Sequence, residues 1–448
     1  LIAHASADAV LAYRAGAPIL VRQFLADVAR IRLALGSGGH VLNVCSDRYR
    51  FAVGFAACLI SGKVSLLPST RTPEVIAHLK RLAPDTVCLT DGEERDAGLP
   101  LVRFPDATGA PQPGDASSTT QVPRVEAGQP AAWVFTSGST GTPVPHQKTF
   151  RRLLESMRVE AQRLGITSGA PHAIVATVPP QHMYGFEASV LVPLASGSAL
   201  CAERPFYPAD ICAALAAVPR PRVLITTPIH LRALMAANLA VPATDLVVSA
   251  TAPLAGQLAC EVEERAQTRL LEIYGTTETG SIATRRTTET AEWRLWPAVV
   301  LEERDGETWA HGGHIEQPTL LCDVIEVTGA DRFLLHGRVA DLVNIAGKRS
   351  SLAYLNHQLN SIPGVHDGAF FHTDAAATDA VTRVGACVVA PGLDAAAIAA
   401  ALRRRIDPVF LPRPLLLVAS LPRTSTGKLP QEALRSLAAA QPKPATAV

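Results

Sequence analysis

From Ile19 to Thr90 the apolar positions change period repeatedly. Phe24, Val28, Ile31 and Leu35 recur at helical spacing, whereas Val41-Leu42-Asn43-Val44 and Thr86-Val87-Cys88-Leu89 are short apolar runs. The first pattern predicts amphipathic helices and the second predicts buried strands, so their alternation predicts βα units on a mostly parallel sheet. Ala131-Ala132-Trp133-Val134-Phe135 predicts another buried strand. So do Ala173 to Val178, Val223 to Thr227, Leu246 to Ser249 and Leu270 to Ile273, with helical stretches such as Pro208 to Ala217 between them. Phe104 to Pro130, rich in Pro, Gly, Ser, Thr and Ala, predicts a surface connector. After Gly337 the texture changes. Val343-Asn344-Ile345, a helix near Tyr354 to Leu359, strands near Gly368 to Phe371 and Ala386 to Val389, and a helix from Asp394 to Ile406 predict a compact α+β unit. The expected fold is therefore α/β: a large N-terminal domain of mostly parallel sheets with helices over 1–337, a hinge at 338–341, and a small mobile α+β C-terminal domain over 342–448.

At 448 residues, 48% hydrophobic and 18% charged, the composition is globular and sufficient for a large core. A net charge of +1 gives no basis for nucleic-acid binding or membrane-surface steering, which leaves small-molecule chemistry. No uncharged apolar run reaches eighteen residues, so no membrane span is expected. The eight cysteines are scattered singly, without zinc-site spacing or disulfide-scaffold density, and are expected to be buried thiols in a reducing cytosol. A soluble cytoplasmic protein is the expectation.

Five clusters carry candidate chemistry. After the strand ending at Phe135, the run Thr136-Ser137-Gly138-Ser139-Thr140-Gly141 joins hydroxyl donors to glycines that can turn backbone N–H groups toward an anion. It is not the ordinary P-loop, because Thr142-Pro143 follows where Lys and Ser or Thr are required. Alone, such a cluster is more often a solvated turn. Tyr274-Gly275-Thr276-Thr277-Glu278-Thr279-Gly280 follows the strand Leu270 to Ile273, at the sheet edge where ligands of open α/β folds bind. There Tyr274 could stack on a purine, Thr277 bond a phosphate and Glu278 ligate Mg²⁺. A Gly-bearing turn with a solvated Glu is the alternative. Asp323 could accept hydrogen bonds from a ribose diol. Gly337-Arg338-Val339-Ala340-Asp341 with Gly347-Lys348-Arg349 is a hinge or a solvated linker, and Pro422 to Lys428 is a loop bearing one lysine.

In this order and spacing the clusters resemble the adenylate-forming superfamily of acyl-CoA synthetases, aryl-acid ligases, luciferases and peptide-synthetase adenylation domains, over nearly the whole chain. The resemblance implies that Thr136 to Gly141 is a phosphate loop and that Tyr274, Gly275, Thr276, Thr277 and Glu278 form a nucleotide motif. It implies further that Asp323 holds the ribose, that Arg338 opens the hinge motif and that Lys428 is the C-terminal catalytic lysine. Thr251, Ala252 and Pro253, within Ser249 to Leu254, would line the adenine. Pro180 to Gly185 would be the loop whose His182 borders the acyl pocket. ATP and Mg²⁺ are implied, with acyl-AMP as intermediate and a lid rotation that admits a pantetheine thiol. Two departures stand out. The usual loop lysine is replaced by Val144, leaving open whether Lys148 reaches the phosphates, and the usual hinge Asp or Lys is replaced by Ala340, with Asp341 beside it.

Amino-acid-activating relatives place an Asp where His182 stands, so an amino-acid substrate is disfavoured. His182, Tyr184, Gly185, Phe186 and Thr251 suggest a mixed aromatic and polar pocket for an aryl or short acyl carboxylic acid, although a His there could equally be a packed residue. The modified loop Pro143 to Lys148 looks most similar to ligases of aryl-polyene and xanthomonadin-type pigment synthesis, which load a hydroxybenzoate or related acid onto the phosphopantetheine of an acyl carrier protein. Free coenzyme A as acceptor is the alternative, and a non-catalytic nucleotide-binding protein a second one.

Overall fold

The computed structural model describes residues 1–68, 70–92, 98–105, 122–137, 143–167, 169–338, 341–345, 348–373, 383–423 and 429–440. A six-stranded sheet has the spatial order Leu101–Arg103, Thr86–Thr90, His40–Asn43, Val64–Leu67, Pro130–Ser137, Pro143–Thr149. All neighbours are parallel except the last pair. Pro143–Thr149 is thus an outer edge strand, a place where Pro143 and Pro145 cost little because an edge can spare backbone donors.

An eleven-stranded sheet is parallel at its centre, in the order Arg269–Thr276, Leu246–Ser249, Arg222–Thr226, Ala173–Ala176, Ala199–Cys201 and Val10–Arg14. Its flanks are antiparallel, starting with Gly280–Arg285 beside Arg269–Thr276 and Ala17–Leu20 beside Val10–Arg14. Every residue of Ala173–Ala176 and Leu246–Ser249 is buried, as strands covered on both faces require. One continuous apolar cluster runs from Val41, Leu67 and Val134 of the first sheet, through the helical residues Phe24, Phe55 and Met157, to Ile174, Ile225 and Val248 of the second.

The C-terminal part has its own core, including Val343, Leu355, Phe370, Val388, Ile398 and Phe410. Its sheet joins Asp367–His372, Val384–Val389 and Leu415–Leu417. Its helices start where polar caps satisfy free backbone donors: Ser351 Oγ accepts from Tyr354 N at 3.1 Å, opening Leu352–Asn360, and Asp394 accepts from Ala397 N at 2.7 Å, opening Ala395–Arg403. The strand Arg332–Arg338 leads into this part through Gly337, whose φ is +122° and where an added Cβ would lie 2.7 Å from that of Ala353. Only glycine fits there.

The chain is thus α/β, with a large sheet-rich N-terminal domain and a smaller C-terminal one. Two expectations need correction. Cys260 and Cys322 are exposed rather than buried, although Cys45, Cys58, Cys88, Cys201 and Cys387 are buried as expected. His182 to Gly185 is not simply a loop, since Met183–Phe186 is helical with His182 at its N-cap. Within the expected connector, residues 106–121 lie outside the described part. No helix among the described residues is long and apolar enough to cross a membrane.

Candidate active site

The motif Tyr274 to Gly280 is a β-hairpin. Arg269–Thr276 ends the parallel block, Gly280–Arg285 returns beside it, and Thr277, Glu278 and Thr279 form the turn. Gly280 has φ +73°, the left-handed residue that closes a three-residue hairpin loop. Gly275 is needed because a Cβ there would meet Ser281 Cα at 2.7 Å. The turn is locked from within: Thr276 N donates to Thr279 Oγ1 at 3.1 Å, and Thr279 N donates to Thr276 Oγ1 at 3.2 Å. This leaves Thr277 and Glu278 at the tip, half-buried.

The edge strand Pro143–Thr149 connects this tip to the first sheet. His146 Nε2 is 2.9 Å from Thr136 Oγ1 and 3.8 Å from Glu278 Oε1. Burial lowers the imidazole pKa, and Lys148 adds to this while Glu278 opposes it. Lys148 is only 4% exposed, and its ammonium donates to the backbone carbonyl of Glu278. Burial lowers its pKa too, against the pull of Glu187, Glu316 and Glu278. Lys148 is therefore built in against the hairpin turn. The side chain of Ser137, and Gly138, Ser139, Thr140 and Gly141, lie outside the described residues.

On the far side of the hairpin, Tyr274 packs its ring against Trp293 and Phe333 and donates its phenol hydrogen to Asp323 Oδ2 at 2.7 Å. Asp323 is in turn the cross-strand partner of Arg338, so three predicted positions converge here through the register of Asp323–Gly329 on Arg332–Arg338. The side chain of Arg338 and the whole of Ala340 lie outside the described residues; Asp341 is half-buried. Thr251 has φ +79°, an outlier for a β-branched residue and a form of strain that concentrates at ligand sites. It and Ala252 are half-buried and Pro253 is exposed, in the turn after Leu246–Ser249.

Tyr184 donates its hydroxyl to the Val248 carbonyl at 2.9 Å, which ties the helix Met183–Phe186 to the strand that leads to Thr251. Gly185 lies against the Pro179 backbone, where a Cβ would collide. Phe186 does not join this side. It is fully buried and packs edge-on against Phe51 and Phe55 in the central core. Two residues along a helix turn about 200°, so Tyr184 and Phe186 face opposite ways.

Sequence reasoning missed the acids beneath the hairpin. Glu187, in a π-helical turn, accepts from Ser281 N at 3.2 Å and Ser281 Oγ at 2.9 Å. Glu160 is fully buried nearby. Burial raises both pKa values, with Glu187 pushed up to about 7 and Glu160 also raised by its neighbour Glu187. Buried carboxyls that keep protons which the unfolded chain has released stabilise the fold fully only at low pH. That contribution is lost as pH rises from the ordinary value of 4.5 through about 7, worth about 3 kcal/mol for Glu187. Glu187→Gln should therefore flatten the fall in unfolding free energy between pH 5 and 8, measured by urea titration. An unchanged slope would contradict the assignment.

Lys428 lies outside the described residues, but the approach to it is anchored. Arg423 makes a bidentate pair with Asp367, at 2.8 and 2.7 Å. Arg232, on the helix Pro228–Ala236 of the large domain, reaches the same carboxylate at 3.7 Å. The described residues contain no cluster of three His, Cys, Asp or Glu able to hold a metal alone.

A 4-coumarate–CoA ligase of Rhodobacter capsulatus is 30% identical over 230 residues, 51% of this chain and 57% of that protein, so the chain spans little more than half of its length. The ATP-bound MatB of Rhodopseudomonas palustris superposes with a TM-score of 0.82 over 97% of both chains, at 19% identity. The anthranilate CoA ligase AuaEII in complex with anthranoyl-AMP gives 0.80 over 97% of this chain and 96% of that one, at 16% identity. These likenesses establish the fold. Residues 23–308, well over half of the sequence and ending beyond the hairpin, match the family described as AMP-binding enzyme, and the chain belongs to that family.

Proposed function

We propose that this protein activates an aryl carboxylic acid, of hydroxybenzoate type, with ATP, and transfers the acyl group to the phosphopantetheine thiol of an acyl carrier protein. The observation that carries the proposal is the convergence of Thr136 from one sheet and Glu278 from the other on the single side chain His146. A hydroxyl on one side and a carboxylate on the other suit a metal-bound polyphosphate.

The acid's carboxylate oxygen attacks the α-phosphorus, the bond to the β-phosphate breaks, and pyrophosphate leaves. Anion meets anion in this step, so donors and positive charge must stand where charge accumulates. Thr136, Ser137, Gly138, Ser139, Thr140 and Gly141 supply hydroxyl and amide donors, and Lys428 supplies an ammonium. Asp323, oriented by the Tyr274 hydroxyl, accepts from the ribose, with Arg338 beside it. Thr251, Ala252 and Pro253 line the base, and Thr277 bonds a phosphate. Mg²⁺ typically binds through one or two carboxylates together with substrate phosphates, a mode that Glu278 at the half-buried hairpin tip fits; bound there, the ion would neutralise phosphate charge. His182, Tyr184 and Gly185 border the acyl group. The C-terminal domain, hinged at Arg338 to Asp341, closes to exclude water from the mixed anhydride, then turns to admit the thiol, which attacks the acyl carbon and releases AMP.

The name of the Rhodobacter relative favours a second acceptor, free coenzyme A. A panel of aryl, acyl and amino acids should give ATP-dependent pyrophosphate release chiefly with hydroxybenzoate-like acids. The carrier protein should then accept the acyl group at least tenfold better than coenzyme A in kcat/KM. Equal or better use of coenzyme A would replace the first reading by the second, and no release with any acid would remove both.

A further inference from the structure

The edge strand Pro143–Thr149 carries the chain's least ordinary segment, Pro-Val-Pro-His-Gln-Lys. Side chains of a strand alternate, so Val144, His146 and Lys148 share one face at spacings of about 7 Å. Their surroundings give each a different task. Val144 is 45% exposed and has no polar atom to offer. Lys148 is committed to the Glu278 carbonyl and buried among carboxylates, so it cannot turn outward without leaving Glu187 and Glu316 unmatched. His146 is 27% exposed at its side chain and presents Nε2 between Thr136 and the Glu278 carboxylate.

We propose that His146 is a direct contact to the β- or γ-phosphate of ATP, taking the place on this strand face that Val144 cannot fill. The assignment rests on the ATP site proposed above. Nε2 is paired with the Thr136 hydroxyl at 2.9 Å, so it donates to a phosphate oxygen by exchanging that partner, a change that needs no movement of the strand because both groups already stand at this site. Lys148 then fixes the height of Glu278, while His146 meets the phosphate tail directly.

The phosphate tail separates this role from a structural one, because AMP lacks both phosphates. Affinities of ATP and AMP are to be measured by calorimetry, without acid substrate, for the wild type, His146→Ala and His146→Gln. Loss of one such hydrogen bond should weaken ATP binding about 5- to 20-fold in His146→Ala, with AMP changed less than twofold. His146→Gln, which keeps a donor, should recover most of the loss. Equal weakening of ATP and AMP, or unchanged ATP affinity in His146→Ala, overturns the assignment while leaving the site intact. A wild type that binds neither nucleotide overturns both the assignment and the site.

Discussion

Lys428→Ala should lower the rate of ATP-dependent adenylate formation by about 10²- to 10³-fold, the loss expected when one preorganised charge is removed from a transition state that gathers negative charge. The same variant should still form thioester from a supplied acyl-adenylate at close to the wild-type rate. In that half-reaction the leaving group is AMP, and under the proposed lid rotation the lysine would have turned away. Pyrophosphate exchange measures the first activity, and thioester formation from synthetic acyl-AMP measures the second. Loss of both to the same extent would contradict the role given to Lys428. On the described residues to either side, Arg423 pairs with Asp367 and Leu434 is fully buried, so the C-terminal core is held by contacts that do not involve residue 428.

Lys148→Met should have the largest effect on stability. The ammonium is buried and faces Glu187 and Glu316, while its hydrogen bond to the Glu278 carbonyl holds the hairpin turn. Removing one partner from a buried charge cluster leaves the others uncompensated, at a cost of about 3–5 kcal/mol. The urea midpoint should fall accordingly, and at pH 9, where Glu187 is driven to ionise, adding Glu187→Gln should restore part of the loss by removing a stranded carboxylate. A shift below about 1 kcal/mol in Lys148→Met, or a double variant no better than the single, would show that the charges are screened by solvent.

The parallel core could be read ahead of the structure because strands covered on both faces become short apolar runs: Ala173–Ala176 and Leu246–Ser249 carry that signature directly. The strand Pro143–Thr149 could not, since two prolines argue against a strand unless its position at the sheet's edge is already known. The pairing of Tyr274 with Asp323 joins residues 49 positions apart, and only the register of the antiparallel flank brings them together. Phe186 was placed in the pocket by its nearness in sequence to Tyr184, and a two-residue helical step sends it to the core instead. Glu160 and Glu187 gave no warning at all. A charged residue in a helical stretch ordinarily faces water, and their burial depends on how the helix Phe150–Leu164 meets the hairpin.

The outer position of Pro143–Thr149 has a bearing on how the molecule behaves in company. A sheet rim normally offers unused amides to any passing backbone, and that is how strands from separate molecules zip together. Here two imino acids within the first three residues of the rim silence part of that invitation. The strand that holds His146 is thereby a poorer template for a neighbouring strand, and the protein should resist edge-to-edge association there even in concentrated solution.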